Sequence, residues 1–114
     1  MIPSPTQVYE ALRYRIEIGE NGSRRYYNSA GQLHRMEGPA VEWEGGRRWY
    51  QNGQLHRTDG PAVVYANGTK YWWQNGLLHR TDGPAVVTAD YKRWYINGTN
   101  MTEAEFKKAV KHND

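Results

Sequence analysis

The sequence predicts a mainly β fold, an antiparallel β-meander of stacked hairpin repeats of 22–23 residues with a C-terminal capping α-helix. Three observations predict it. A ten-residue segment occurs three times, at Gly31–Ala40, Gly53–Ala62 and Gly76–Ala85. A pair of aromatic residues before a turn keeps the same period, and a helix-capping sequence follows the last copy. Repetition at this spacing indicates one supersecondary unit that buries its apolar side against copies of itself.

Each unit contains two short segments rich in Val, Tyr and Trp, which are typical of β-strands. These predicted strands are 39–43, 61–65 and 84–88, paired with 47–50, 70–73 and 92–95. The first two pairs are joined by turns that contain Gly, whereas the third turn, Ala89-Asp90-Tyr91, lacks Gly and predicts a different turn. The longer Asn-Gly-x-Leu-His-Arg-x-Asp/Glu-Gly-Pro connection is expected to be an extended link to the next hairpin.

Helical caps are predicted on both sides of the array. The segment Thr102–Glu105 is a capping box, and it predicts a helix that ends near Lys111. Residues 6–12 predict a short helix before a strand at 14–18. We therefore expect a single domain, with an N-terminal cap at 1–25, the repeat array at 26–98 and the C-terminal capping helix at 99–114.

The composition argues against several classes of protein. The chain has no Cys, which excludes disulfides and thiolate metal sites and suits a reducing compartment. No apolar run reaches the length of a signal sequence or a membrane span, so we expect a cytoplasmic protein without a membrane span. No nucleophile motif, phosphate-binding glycine loop or recognisable metal-ligand spacing occurs. We therefore expect no enzyme activity, no catalytic residue, no metal and no cofactor.

The repeated segment places a histidine, an arginine and an acidic residue together in every unit. They are His34, Arg35 and Glu37; His56, Arg57 and Asp59; and His79, Arg80 and Asp82. One interpretation is a ladder of metal ligands or general bases, since neutral imidazole serves both roles. The interpretation that we favour is structural, with an internal Arg–acid pair around the Gly-Pro turn and a histidine bonded to the backbone of a neighbouring unit. Triplication favours structure because an active site is normally one asymmetric pocket.

A second regularity places a basic residue two positions before each aromatic pair, at Arg24, Arg47, Lys70 and Lys92. Strand alternation puts these cations on the face of the first aromatic residue of each pair. The predicted partner-binding residues are therefore Arg47, Trp49, Lys70, Trp72, Lys92 and Trp94. Such a face fits an acidic protein patch, nucleic acid or anionic headgroups, although nearby acidic residues weaken the nucleic-acid version. The alternative is that cationic side chains cover the Trp rings and only solubilise the sheet.

From Tyr26 to Gly98, the Asn-Gly-x-Leu-His-Arg-x-Asp-Gly-Pro-Ala-Val pattern with its aromatic pairs resembles the variant MORN-like repeats of bacterial antitoxin-like proteins and of small proteins from tailed phages. The Leu-His-Arg segment departs from the standard MORN consensus. The resemblance implies a non-catalytic protein that binds and inhibits a target through its sheet face, in the host cytoplasm if it is phage-encoded. Nucleic acid or anionic lipid headgroups are the alternative partners. A homodimer that forms through an open sheet edge or through the aromatic face is a further expectation.

Overall fold

The structure is a computed structural model, and it describes residues 2–111. Short strands dominate this part of the chain because the repeats place turn residues every few positions. The elements are α1 (Pro5–Arg13), β1 (Arg15–Ile18), β2 (Arg24–Tyr27), β3 (Val41–Trp43), β4 (Gly46–Arg48), β5 (Tyr50–Gln51), β6 (Gln54–Leu55), β7 (Val63–Tyr65), β8 (Lys70–Tyr71), β9 (Trp73–Gln74), β10 (Leu77–Leu78), β11 (Val86–Val87), β12 (Lys92–Ile96), β13 (Thr99–Met101) and α2 (Glu103–Lys111).

Nine of these strands form one antiparallel sheet in the order β1-β2-β3-β4-β7-β8-β11-β12-β13. The described part of the chain is elongated, with extents of 53 × 28 × 22 Å. The predicted β-meander of hairpins with a C-terminal helix is therefore confirmed. Each interior unit contributes two strands to the sheet, β3 with β4 and then β7 with β8.

The connection that was expected to be extended instead contains a second hairpin. β5 pairs with β6 and β9 pairs with β10, each as a separate two-stranded sheet. The turn residues Asn52 and Gly53 have φ values of 50° and 82°, as a two-residue turn with positive φ at both positions requires. The Asn-Gly pair is the sequence signal for such a turn, but strands of only two residues carry no alternation that would mark the rest of the hairpin.

The second hairpins stack along the array. The turn glycine of each unit donates its N–H to the leucine carbonyl of the preceding Leu-His-Arg segment. These bonds join Gly53 to Leu33 at 2.9 Å, Gly76 to Leu55 at 2.9 Å and Gly98 to Leu78 at 2.8 Å. The Leu-His-Arg segment is thus the contact by which one unit positions the next.

The third turn of the main sheet differs from the other two, as its lack of Gly predicts. The Thr88 hydroxyl accepts the N–H groups of Asp90 and Tyr91 at 3.1 and 3.0 Å. Hydrogen bonds to a side chain thereby stabilise this turn, whereas the equivalent turns rely on the conformational freedom of Gly.

Both helices begin at capping boxes. The Ser4 hydroxyl accepts the N–H of Gln7 at 3.1 Å, and Oε1 of Gln7 accepts the N–H of Ser4 at 2.8 Å. Helix α1 therefore begins at Pro5, one residue before the predicted start, and ends at Arg13. Thr102 and Glu105 exchange the same pair of bonds, and α2 runs from Glu103 to Lys111, the last residue described. Residues 112–114 of the predicted C-terminal cap lie outside the described residues.

The buried core is thin and repetitive. Its apolar members are Tyr14, Tyr26, Ala40, Ala62, Val63, Ala85, Val86 and Phe106, and none of the large side chains is completely buried among the residues described. The alanines have no exposed surface, and each accepts an N–H from the aromatic residue opposite at 2.8 Å.

Candidate functional site

Each of the first three units carries an arginine stacked on the first aromatic ring of its own pair. The Cζ-to-centroid distances are 4.0 Å for Arg35 over Tyr26, 3.8 Å for Arg57 over Trp49 and 3.8 Å for Arg80 over Trp72. We call these the first, second and third stacks. In each, the arginine Nη1 also donates to a proline carbonyl four residues later, at 3.0 to 3.1 Å. The Leu-His-Arg segment therefore folds back over the sheet instead of projecting from it.

The glycine of each Gly-Pro turn makes room for the guanidinium. A Cβ on Gly60 would lie 2.9 Å from Cζ of Arg57, and one on Gly83 would lie 2.8 Å from Cζ of Arg80. The arginine is therefore held between an aromatic ring on one side and a glycine on the other. In the sequence this glycine was assigned only to the turn.

The three histidines link successive units. Nδ1 of each histidine accepts the N–H of the turn asparagine in the next unit, namely Asn52 for His34 at 3.0 Å, Asn75 for His56 at 3.0 Å and Asn97 for His79 at 2.9 Å. A nitrogen that accepts in this way carries no proton, so the neutral ring has its proton on Nε2. Within residues 2–111, no group of three or more His, Cys, Asp or Glu side chains is arranged to hold a metal ion.

The first stack is closed by a helix. Nη2 of Arg35 donates to Glu10 of α1 at 2.8 Å, Nε of Arg35 bonds the other oxygen of that carboxylate, and Nη1 donates to Glu42 at 2.7 Å. The Glu10 side chain is 5% exposed and that of Arg35 is 13% exposed. Glu37, which was expected to pair with Arg35, instead accepts the Tyr14 hydroxyl at 2.8 Å. The predicted local pair is therefore wrong for the first unit.

The second and third stacks have the expected local pairs. Nε of Arg57 donates to Asp59 and Nε of Arg80 donates to Asp82, both at 2.8 Å. Both acidic side chains are 83% exposed. The hydrogen bond from Arg57 lowers the pKa of Asp59, which keeps this carboxylate charged.

The interior arginines keep hydrogen-bonding capacity. Within residues 2–111, Nη2 of Arg57 and Nη2 of Arg80 donate to no protein atom, and no buried side-chain nitrogen lacks a partner, so these nitrogens reach solvent. Arg57 lines a groove between consecutive Gly-Pro loops together with Glu37 and Asp59. Arg80 lines the next groove together with Asp59 and Asp82. The groove over Trp49 has a volume of about 470 Å³ and the groove over Trp72 about 430 Å³.

The cations before the aromatic pairs lie in one row across the sheet. The register aligns Ile18, Arg24, Glu42, Arg47, Val64, Lys70, Val87 and Lys92. We call Arg24, Arg47, Lys70 and Lys92 the basic row. A cleft beneath α1 is lined by Arg24 and Glu42 together with Tyr26 and Arg35, so the row and the stacks share one face.

Charge along this row is unevenly balanced. Glu42 pairs with Arg35, whereas the equivalent positions farther along are Val64 and Val87. Arg47, Lys70 and Lys92 are exposed, and none of them forms an ion pair with another described residue. The face is neutralised at the end covered by α1 and basic in the interior units.

The predicted partner-binding residues divide into two groups. Arg47, Lys70 and Lys92 are exposed as expected, but Trp49 and Trp72 are half-buried beneath Arg57 and Arg80. The tryptophans are thus covered by cationic side chains, although by those of the Leu-His-Arg segments and not by the basic row. Trp94 is half-buried in β12, against which α2 packs.

Sequence reasoning missed two features of the site. It assigned the arginines of the second and third stacks to structure alone, although they also line the grooves; the signal was the constant eight-residue spacing from Trp49 to Arg57 and from Trp72 to Arg80. It gave no role to Glu10, because a single acidic residue in a short helix carries no pattern.

The chain has no match among protein-family models, curated proteins or solved structures. Neither helix in the described part of the chain has the length and apolar character needed to cross a membrane.

Proposed function

We propose that the protein is a non-catalytic, MORN-like repeat module that binds another protein through the face formed by the basic row and the second and third stacks. The observation that carries this proposal is the exposed positive charge of Arg47, Lys70 and Lys92, which form no ion pair with another described residue, on one side of the sheet. An exposed set of like charges is disfavoured within the protein, and a complementary partner relieves it.

The residue types on this face are those that dominate protein interfaces. Arginine and tryptophan are enriched among residues whose loss most weakens binding. Here each interior arginine is already held by a Trp ring and a Pro carbonyl, so little side-chain entropy is lost when a partner binds. A small module of this kind acts by occupying a surface of its target. This supports an inhibitory role, either antitoxin-like or directed by a phage against a host defence.

A catalytic role has less support. It would require one His-Arg-acid set to differ chemically from the others. His56 and His79 make the same contact, and Arg57 and Arg80 make the same three contacts. Equivalent environments favour a structural role for the whole ladder.

Nucleic acid or an anionic lipid headgroup is the second candidate, because a row of cations also fits phosphates. Single-stranded nucleic acid is commonly held by bases stacked on open aromatic rings. The rings of Trp49 and Trp72 already carry a guanidinium at 3.8 Å, which takes up the stacking face on that side. The protein partner is therefore favoured.

The test is affinity capture from bacterial lysate with the tagged protein and two triple variants. R47A/K70A/K92A removes three cations from the basic row, and R25A/R93A/K108A removes three exposed cations elsewhere. We expect one stoichiometric protein to survive a high-salt wash on the wild type and on the second variant, and to be lost from the first.

Two results would contradict this proposal. Equal capture by both triple variants would remove the basic row from the interface. Nucleic acid in the eluate, detected by absorbance at 260 nm and released by salt, would establish the second candidate instead, since phosphate contacts weaken steeply as salt rises.

A further inference from the structure

We propose that the grooves over Trp49 and Trp72 bind the carboxylates of an acidic helix of the partner, one on Arg57 and the next on Arg80. This inference rests on the proposed function and specifies the chemistry of the partner. Its support comes from the first unit, where the protein fills the equivalent position with a helix of its own.

The first stack shows what a helical carboxylate does at this position. Helix α1 lies on the same face as the basic row and gives both oxygens of Glu10 to Arg35. Arg35 stacks on Tyr26 as Arg57 stacks on Trp49, and both donate Nη1 to a proline carbonyl at 3.1 Å. A carboxylate beside a stacked arginine therefore has a precedent within the chain. On Arg57 and Arg80, Asp59 and Asp82 hold the Nε that Glu10 bonds on Arg35, so an added carboxylate is limited to the Nη side.

The interior arginines have room for a second carboxylate. Arg35 binds Glu10 and Glu42 at once, whereas Arg57 and Arg80 each bind a single aspartate. Their Nη2 groups are the unused donors. A guanidinium offers five N–H groups in a fixed plane, so Asp59 or Asp82 does not exhaust it.

The spacing of the grooves matches a helix. One repeat adds two strands to the sheet, and at about 4.8 Å per strand the second and third stacks are about 10 Å apart. Residues seven apart in an α-helix rise by about 10.5 Å and remain on nearly the same face. Lys70 and Lys92 repeat with the same period and extend the complementary surface.

The test uses two synthetic alanine-based helical peptides of identical composition and charge. The matched peptide has glutamates at i, i+7 and i+14, and the mismatched peptide has them at i, i+5 and i+10, on different faces. We expect calorimetry to show binding of the matched peptide at least about tenfold tighter, because only it can reach both arginines with charge-assisted bonds.

Two double variants sharpen the test. V64E/V87E places glutamates at the positions equivalent to Glu42 of the first unit. These glutamates should pair with Arg57 and Arg80 and weaken binding of the matched peptide by about tenfold. R57K/R80K keeps the charge and removes the planar fork, with an expected loss of similar size. The charge-matched control A30E/A104E alters two exposed alanines that line neither groove, and it should bind nearly as the wild type does.

Equal affinity for the two peptides would overturn the inference. An affinity for the matched peptide that V64E/V87E leaves unchanged would also overturn it. So would tighter binding of a poly(dT) strand than of the matched peptide. The proposed function is decided separately. If R47A/K70A/K92A no longer captures the protein but neither peptide binds the wild type, the module binds a protein through contacts other than helical carboxylates. If that variant still captures the protein, the basic row is not part of the interface.

Discussion

The first stack and the two interior stacks have the same geometry, but they are completed in different ways. In the first, Arg35 is shielded from solvent and bound by Glu10, which is 25 positions away in the chain. In the second and third, the arginine binds an exposed aspartate two positions away. One repeated motif thus serves as a core at the end of the array and as a surface in its middle.

The difference shows how this array closes its first end. A repeat needs a neighbour on each side, and the first unit has none before it. Helix α1 and Tyr14 take that place, and the buried carboxylate satisfies an arginine that the fold would otherwise leave desolvated. Interior units need no such partner from their own chain, which leaves their arginines available to another molecule.

The largest expected effect comes from removing the carboxylate that closes the first stack. E10A leaves Arg35 buried with only Glu42 and a carbonyl, and we expect a loss of about 3 kcal/mol in unfolding free energy. Chemical denaturation measures it. D59A is the matched interior variant, and its effect should be much smaller because that pair is exposed. Equal losses in the two variants would mean that the stacks do not differ in this way.

An intermediate effect is expected at the glycines that face the arginines. G60A and G83A would push the guanidinium off its Trp ring, at a cost of about 1 kcal/mol each. At Gly38 the nearest guanidinium atom would be 3.3 Å from the new Cβ, so G38A should cost less. Denaturation curves give the stability, and Trp fluorescence reports the displaced stack. If G38A lowers the unfolding free energy as much as G60A does, the expected difference between the first and the second stack is contradicted.

The smallest effect is a dependence of stability on alkaline pH that comes from Tyr14, next to the first stack. Burial and the hydrogen bond to Glu37 raise the pKa of Tyr14 above its ordinary value of 10.0. Stability from this group is complete below pH 10 and is lost as the pH rises through the folded-state pKa, because the unfolded chain ionises first. Denaturation at pH 8 and above pH 10 should show a weaker decline in Y14F than in the wild type. An unchanged decline would assign it to other tyrosines.

Much of the fold could be predicted from the sequence. The period of the repeat, the main hairpins, the third turn without Gly and the helix after Thr102 all followed from local patterns. The second hairpins had only the Asn-Gly turn as a sequence signal, because strands of two residues have no alternation to detect. The stacking of Arg57 on Trp49 could not be predicted either. Two residues eight positions apart come into contact only because the chain turns back at Gly60.

The sequence by itself determined the repeat and the chemistry that each repeat carries, because turns, caps and strand alternation are local properties. Only the tertiary structure decided which arginine is buried and which remains available. That outcome depends on where α1 docks, which brings Glu10 to Arg35, and on the chain folding back so that Glu42 reaches the same arginine. Burial and charge balance are set by neighbours distant in the chain, so identical motifs acquire different roles.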